Sequence, residues 1–387
     1  MPENKDKKVL NVPNLRFPEF EGEWEEHGLS EFLDFKNGLN PKPEKFGKGI
    51  KFISVMDILN NTIITYDSIK ACVDANNKEI DNYSVKMGDL LFQRSSETLE
   101  DVGRANVYMD EKPAIFGGFV IRGKKKGEYN PLFFKNLLET PFSRRKIIPM
   151  GAGAQHFNIG QEGLSKVKLY FAPINEQNKI AKILSLLDDR IFTQNKIIED
   201  LKKLKSAISE RLFKDAKGDV ITLSEICDIV KGEQINGELL SEHGKYYVMN
   251  GGTDPSGYYD NYNVGAYTIS ISEGGNSCGY VQFNKCPFWC GGHCYSIQNI
   301  ADNINNLYLY HYLKTEEKAI MKLRIGSGLP NIQKKDLATF KIKLPTSKQQ
   351  KAISDILSLL EQKAEIEEQI LIAMQDEKQY LLRQMFI

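Results

Sequence analysis

Four cysteines and one histidine lie close together in the second half of the chain and could bind a metal ion. Cys278, Cys286, Cys290 and Cys294 fall within 17 residues, and His293 precedes the last of them. Structural zinc sites commonly pair their cysteines as Cys-x2-Cys, whereas the spacing here is Cys-x7-Cys-x3-Cys-x3-Cys. The pattern therefore favours buried thiols in a hydrophobic core, and we predict no metal site.

Basic and amide side chains in the first half of the chain could contact a nucleic acid. Such side chains bind base edges and phosphates, although a charge run is more often a solvated surface, and for any single residue that alternative stays open. They form one set of candidate nucleic-acid contacts, with Arg94 as the expected base contact and Arg145 as the expected phosphate contact. The candidates are Gln93, Arg94, Ser95, Ser96, Arg104, Arg122, Lys124, Lys125, Arg144 and Arg145.

Catalytic chemistry has no recognisable signature in the sequence. The amino-methyltransferase motifs Asn-Pro-Pro-Tyr/Phe and Asp-Pro-Pro-Tyr do not occur, and neither does the phosphate-binding motif Gly-x-x-x-x-Gly-Lys-Ser/Thr. The five histidines are scattered without an evident triad. The sequence thus predicts no catalytic residue and no cofactor in this chain.

An internal duplication organises the chain. Residues 158–213 align without a gap on residues 331–386, and the run Ile-Leu-Ser-Leu-Leu occurs at 183–187 and again at 356–360. Weaker matches upstream include Gly117-Gly118 with Gly291-Gly292. The pairs Gly151/Gly153 and Gly326/Gly328 also match, and we expect tight turns there. The order is therefore domain, helix, domain, helix.

The duplication indicates where the second half could contact DNA. Residues 216–345 contain 12 basic and 13 acidic groups, so hydrogen bonds or partner chains should contribute more there than charge does. Four polar residues fall in a predicted loop equivalent to that after Arg94, and three basic residues follow. These candidates are Ser270, Ser272, Glu273, Asn276, Lys322, Arg324 and Lys334.

The globular halves are rich in Tyr, Phe, Ile and Val and are predicted to be mainly β. Residues 89–92 and 266–271 are typical of short strands, and residues 130–140 and 305–315 are typical of helices.

Two long helices follow the globular halves, and each carries an apolar stripe at three-four spacing. Polar residues interrupt both stripes at matching places, at Gln194 and Glu367 and again at Lys205 and Lys378. Such stripes predict an antiparallel coiled coil about 60 Å long, and polar core positions can fix its register. The predicted core positions are Ile180, Leu184, Leu187, Ile191, Ile198, Leu201, Ile208, Ile353, Leu357, Leu360, Leu371, Met374 and Leu381.

Composition limits the class of protein. The 387 residues carry 51 basic and 51 acidic groups and are 41% hydrophobic, as expected of a globular chain without a global nucleic-acid charge signature. The chain begins without a signal-like apolar run, and its six cysteines are too few for a disulfide framework at this length, so we expect a cytoplasmic location.

The sequence resembles the specificity subunit of Type I restriction-modification systems over nearly its whole length. The resemblance rests on the duplicated layout, on Pro13-Asn14-Leu15-Arg16-Phe17-Pro18-Glu19-Phe20 ahead of Trp24, on Gly88-Asp89-Leu90-Leu91-Phe92, and on Pro173-Ile174-Asn175-Glu176-Gln177-Asn178-Lys179-Ile180. The second copy departs from the last motif, with Pro345-Thr346-Ser347-Lys348-Gln349-Gln350.

This resemblance implies an α+β chain with an internal pseudo-two-fold repeat. Its two mainly β target-recognition domains, residues 1–172 and 216–345, would be joined and spaced by helices at 173–215 and 346–387. It further implies double-stranded DNA, two methyltransferase subunits and two restriction subunits as partners. S-adenosylmethionine would belong to the methyltransferase, and ATP and Mg²⁺ to the nuclease. The alternative is a coiled-coil scaffold that joins protein partners without reading DNA.

Overall fold

The computed structural model describes residues 10–326, 328 and 330–387, which form two compact units. The first unit contains the described residues up to Gln194 together with Ile370–Ile387, and the second contains those within Asn195–Gln369. Each unit therefore has one globular domain and a segment of each long helix. Residues 1–9 of the predicted first domain, and Ser327 between the two glycines of the second copy, lie outside the described residues.

The first globular domain is made of short strands and short helices. Its strands are β1 (Glu25–Gly28), β2 (Leu33–Asn37), β3 (Phe46–Ile53), β4 (Cys72–Val73), β5 (Ser84–Val85), β6 (Leu90–Gln93), β7 (Ser95–Ser96), β8 (Ala105–Val107), β9 (Ala114–Phe116), β10 (Val120–Lys125), β11 (Phe157–Asn158) and β12 (Lys168–Phe171). Its helices are α1 (Leu29–Phe32), α2 (Val55–Asn60), α3 (Asn77–Tyr83), α4 (Pro131–Glu139), α5 (Pro141–Ile147) and α6 (Gln161–Ser165).

The long helix α7 (Ile174–Asp215) leads into the second domain, and α11 (Ser347–Gln384) follows it. The strands between them are β13 (Asp219–Thr222), β14 (Asp228–Lys231), β15 (Tyr246–Met249), β16 (Tyr258–Tyr259), β17 (Thr268–Ser272), β18 (Val281–Asn284), β19 (Trp289–Cys290), β20 (Cys294–Gln298) and β21 (Lys341–Leu344). The helices are α8 (Asn306–Thr315), α9 (Glu317–Met321) and α10 (Lys334–Ala338). Single 3₁₀ turns occur at Pro43–Lys45, Ile148–Met150, Leu223–Glu225 and Gly237–Leu239.

The two domains share the main part of their strand topology, which confirms the duplication where the sequences have diverged. The antiparallel sheet β2-β10-β6-β8 of the first corresponds to β14-β20-β17-β18 of the second. The pairs β1-β12 and β13-β21 also correspond, as do the parallel pairs β3-β9 and β15-β19. The predicted strands are present as β6 and β17, and the predicted helices are present as α4 and α8.

A buried glutamine fixes the start of each long helix on its domain. The Gln177 carboxamide accepts from the Asn130 N–H (2.9 Å) and donates to the Ala172 carbonyl (2.8 Å). Asn130 in turn caps α4 through its side chain. In the second unit, Gln350 accepts from the N–H of the α8 cap Asn305 (2.8 Å) and donates to a strand-end carbonyl.

The start of α7 has a further contact that the second copy lacks. The Arg16 guanidinium binds both carboxylate oxygens of the fully buried Glu176, each at 2.8 Å. The equivalent residue of α11 is Gln349, which is exposed. The departure of the second copy from the motif thus has a structural counterpart.

The predicted stripe residues face inward in both units. Ile180, Leu184, Leu187, Ile198, Ile353 and Leu357 are buried, and Ile191, Leu201, Ile208, Leu360, Leu371, Met374 and Leu381 are half-buried. The ends of the long helices complete the same cores. The Phe386 ring lies 5.2 Å from Phe133 of α4, and the Phe213 ring lies 5.6 Å from Tyr308 of α8.

Lysines that interrupt the stripes form ion pairs between the helices. In the first unit Lys378 pairs with Asp188 at 2.7 Å, and in the second Lys205 pairs with Glu361 at 2.8 Å. The numbers in each pair sum to 566, so both units use one antiparallel register. All four side chains are largely shielded from water, and an unpaired charge there is costly. These pairs support the prediction that polar core positions fix the register.

Loss of one charge in such a pair should destabilise the first unit. We expect Lys378→Met to lower the free energy of unfolding by about 1–3 kcal/mol, because it leaves Asp188 shielded and unpaired. The double variant D188L/K378M should recover most of the loss, since apolar residues can replace a buried pair. Urea unfolding measures both changes. The exposed pair Glu162–Lys166 provides the control, where K166M should change stability by less than about 0.5 kcal/mol. An equal effect of K166M and K378M would contradict this role.

In the second unit, a buried histidine lies near the Lys205–Glu361 ion pair, where α8 contacts α11. His311 of α8 is 2% exposed, and its Nε2 lies 3.0 Å from the Ser358 Oγ of α11. Burial lowers the pKa of His311 to about 4, which nearby Glu361 partly opposes and Lys205 reinforces. In the first unit the matching position of α4 is Asn136.

Acid should therefore destabilise the second unit through His311. The folded state disfavours the imidazolium, so stability is lost as the pH falls from about 6.5 towards 4. Relative to wild type, His311→Asn should remove about 3 kcal/mol of this pH dependence in urea unfolding at matched pH values. The exposed variant H243N should follow the wild-type curve. Parallel curves for wild type and H311N would refute the assignment.

Candidate nucleic-acid interface

One end of the sheet in the first domain carries loops held by backbone hydrogen bonds. Arg94 follows β6, and its N–H donates to the Phe119 carbonyl while its carbonyl accepts from the Ile159 N–H, both at 2.9 Å. The Arg94 guanidinium also donates to the Gly118 carbonyl at 3.2 Å. We call residues 94–96, 117–119 and 152–158 the first tip.

The second domain has the same arrangement at the end of β17. The Glu273 N–H donates to the His293 carbonyl (2.9 Å), and the Ile332 N–H donates to the Glu273 carbonyl (2.8 Å). We call residues 273–276, 291–293 and the described residues of 325–331 the second tip. The two tips share one backbone frame, while Arg94 in the first is replaced by Glu273 in the second.

Each tip includes a loop closed by a pair of backbone hydrogen bonds. Ala152 and Asn158 bond each other in both directions, at 2.8 and 2.9 Å. Ile325 and Asn331, which are 173 positions further along, do the same at 2.8 and 3.0 Å. The described ends of the two loops are thus structural equivalents.

Two of the glycines expected in tight turns, Gly153 and Gly326, occupy equivalent places in these loops. Gly153 has φ +146° and Gly326 has φ +92°, a region that favours glycine. A Cβ at Gly153 would also lie 2.0 Å from the His156 carbonyl oxygen. These glycines therefore allow a backbone conformation that other residues would adopt only with strain.

The predicted DNA contacts around Arg94 lie at the first tip, with different exposure. Arg94, Ser95 and Ser96 are half-buried, and the Ser95 hydroxyl donates to the Asn158 side chain. Gln93 is buried as the last residue of β6, and its amide donates to the Ser95 carbonyl at 3.0 Å. Arg94 and the two serines remain candidates, whereas Gln93 supports the loop from beneath.

Two predicted arginines are bonded to the domain's own backbone. Arg122 donates to the Ser84 carbonyl and lies over the Phe116 ring, and burial lowers its pKa. Arg144 donates to two carbonyls at 2.6 and 2.8 Å, and burial lowers its pKa to about 10. Both guanidinium groups hold loops of the domain in place, and DNA contact by these two arginines stays a prediction.

The remaining basic candidates of the first domain are exposed. Arg104 pairs with Asp101 at 2.7 Å, and Lys125 donates to the Tyr129 carbonyl at 3.1 Å. Lys124 and Arg145 are also exposed. Their assignment as DNA contacts stays a prediction.

The second domain requires a correction at its two serines. Ser270 and Ser272 lie within β17, not in a loop, and both are buried. The Ser270 hydroxyl accepts from the Asn284 amide at 3.0 Å. Strand residues buried in this way do not present a hydroxyl to a base, so the loop prediction is wrong for both.

The other candidates of the second domain differ in exposure. The Glu273 carboxylate is largely buried and accepts from Lys231 (2.7 Å) and the Tyr295 hydroxyl (3.1 Å). Asn276 is exposed in the second tip, and Lys322, Arg324 and Lys334 are exposed as well. DNA contact by this group remains a prediction.

Two exposed tip residues are absent from the DNA contacts that the sequence predicts. Phe119 is 67% exposed, and His293 occupies the equivalent position of the second tip and is also exposed. The available signal was the Gly-Gly pair that precedes each of them in both copies.

The cysteines that suggested zinc are mostly packed in the core. Cys278, Cys290 and Cys294 are buried, and Cys286 is exposed. Across the described residues, the structure contains no group of three or more histidine, cysteine or acidic side chains placed to hold a metal ion. Nor does any helix in that part of the chain combine the length and apolarity needed to cross a bilayer.

Comparison with known proteins identifies the family. The model of the Type I restriction modification DNA specificity domain matches twice, over residues 21–203 and 217–375. A putative type I restriction enzyme MjaX specificity subunit from Methanocaldococcus jannaschii is 26% identical, covering 93% of this chain and 92% of its own. A putative type I specificity subunit from Mycoplasma genitalium is 34% identical over 37% of this chain and 38% of its own.

Solved structures have the same fold. The crystal structure of a Type I restriction-modification S subunit from M. genitalium matches with a TM-score of 0.66 and 20% identity, over 97% of this chain and 99% of that one. A chain from a structural study of type I restriction-modification assembly and conformational transition matches with a TM-score of 0.56 and 16% identity, over 93% and 96%. With two family domains in one duplicated fold, the chain belongs to the Type I restriction-modification DNA specificity subunits.

Proposed function

We propose that each globular domain reads one half of a split, asymmetric DNA target. The observation that carries the proposal is the shared frame of the two tips, which presents different side chains in the two copies. Arg94 of the first tip suits the acceptors of guanine, whereas the exposed Asn276 of the second tip suits adenine. Two unlike readers in one chain would give an asymmetric site. The reading domains would be residues 1–172 and 216–345.

The charge balance supports a division of labour with partner chains. Phosphate contacts dominate the affinity of DNA-binding proteins, yet this chain has no net charge. Residues 216–345 are slightly acidic. We therefore assign much of the phosphate contact to partner subunits and sequence selection to this chain.

Repeated apolar patches on the long helices support docking of two copies of one partner. Ile183 and Leu186 of α7 are 37% and 56% exposed, and the matching Ile356 and Leu359 of α11 are 44% and 65% exposed. Exposed apolar side chains that recur at equivalent positions suit two identical surfaces. We assign these patches to two methyltransferase subunits.

The remaining activities would lie in partner chains. The methyltransferases would bind S-adenosylmethionine, extrude one adenine per half-site and methylate it, since base chemistry requires removal from the stack. Two restriction subunits would supply ATP- and Mg²⁺-dependent cleavage. The long helices, residues 173–215 and 346–387, would set the gap between half-sites in a cytoplasmic, non-catalytic chain.

Exchange of the second domain tests the proposal. Replacing residues 216–345 with the matching part of another specificity subunit should change the methylated bases in one half-site and leave the other half unchanged. Single-molecule methylome sequencing of the host reads both halves at once, and a strain lacking the gene should lose methyladenine at that motif. An unchanged motif in the exchanged strain would favour the scaffold alternative.

The docking patches give a separate test. We expect Leu186→Glu and Leu359→Glu each to weaken methyltransferase binding by about tenfold or more, because a charge replaces an apolar contact. Analytical ultracentrifugation of the co-expressed complex should show loss of one methyltransferase subunit per variant. The exposed Tyr380→Glu is the control on the same helices, and it should keep both subunits bound. Full assembly of both leucine variants would contradict the assignment.

A further inference from the structure

A tight turn projects one residue from each tip. In the first domain the Val120 N–H donates to the Gly117 carbonyl (2.9 Å), so that Gly118 and Phe119 form the bend. In the second domain, the Cys294 N–H donates to the Gly291 carbonyl at 3.0 Å in the same way. We call these the tip turns, and their outermost side chains are Phe119 and His293.

Close packing holds both tip turns in place. A Cβ at Gly118 would lie 1.8 Å from the Asn40 side chain, and one at Gly38 would lie 2.1 Å from the Gly117 carbonyl. The second domain repeats this fit, because a Cβ at Gly292 would lie 2.5 Å from the Gln234 side chain. The turns therefore have little freedom to move.

The side chain at the end of the tip turn differs between the two domains, whereas the backbone hydrogen bond that closes the turn is the same. Phe119 is one of the most exposed large apolar side chains in the described structure. An exposed ring on a rigid turn contributes no hydrophobic burial to the stability of the fold. His293 has the same place but offers ring nitrogens that can donate or accept hydrogen bonds.

We propose that the residue at the end of each tip turn determines specificity for one half-site. Phe119 makes apolar contact with a thymine methyl group, the one apolar group that a base pair presents in the major groove. His293 hydrogen-bonds to a base edge in the other half-site. This inference rests on the proposed function, because it assumes that the tips face DNA.

Uracil substitution tests the Phe119 contact directly, because uracil is thymine without its methyl group. The full chain in complex with its methyltransferase is assayed on duplexes in which each thymine of the first domain's half-site is replaced in turn. For wild type, one replacement should lower the methylation rate about fourfold, the value of one buried methyl group. Phe119→Ala should be insensitive to that replacement.

Reciprocal exchange tests the pair. Phe119→His should alter preference only in the first half-site, and His293→Phe only in the second, by about tenfold at the contacted base pair. Met87→His is the control, since Met87 is exposed but precedes β6, at the end of the sheet opposite the tip. It should leave both half-sites unchanged.

Several outcomes would overturn the inference. They are equal uracil sensitivity in wild type and Phe119→Ala, a first half-site without thymine, and loss of methyltransferase binding on Phe119→His, which would make the turn a protein contact. The proposed function fails separately, if wild type methylates DNA without sequence preference.

Discussion

The buried glutamine at the start of each long helix is the interaction on which the rest of its unit depends. Gln177 and Gln350 each join the end of the last strand, the long helix and the cap of the helix packed beside it. Rotation of a domain about its helix would leave these buried polar groups without hydrogen-bond partners. Each unsatisfied group would cost about 1–3 kcal/mol. A side chain at the tip of a domain can keep a fixed position relative to the long helix only because this joint is rigid.

Sequence patterns were sufficient for the parts of the fold that repeat or that follow helical spacing. The stripe positions, the helices that became α4 and α8, and the strands that became β6 and β17 all lie where local periodicity and apolar runs predicted them. Lys205 and Lys378 stood out as interruptions of a stripe. Their partners Glu361 and Asp188 did not, because an ion pair between helices depends on register, which no local pattern specifies.

The candidate site was less predictable, because residue type does not say which way a side chain points. Ser270 and Ser272 differ from exposed serines only in lying on an inner strand, and Arg122 and Arg144 are indistinguishable in sequence from free basic residues. The exposure of Phe119 is not evident from the sequence either, because a lone phenylalanine ordinarily indicates a core position. The Gly-Gly pair marked the turn, but only the packing of Asn40 and Gln234 against it reveals that the turn is held.

The core of the first unit also has a consequence for synthesis of the chain. Trp24, Phe133 and Ile180 share that core with Met385 and Phe386. Domains usually fold on the ribosome in the order in which they are made. Here a nascent chain that has completed the first domain still lacks the aromatic ring that closes its interior, and receives it only after the entire second domain has been translated. The first domain to be made is thus the last to be finished, and a truncated product would display an unsealed apolar surface to cellular quality control.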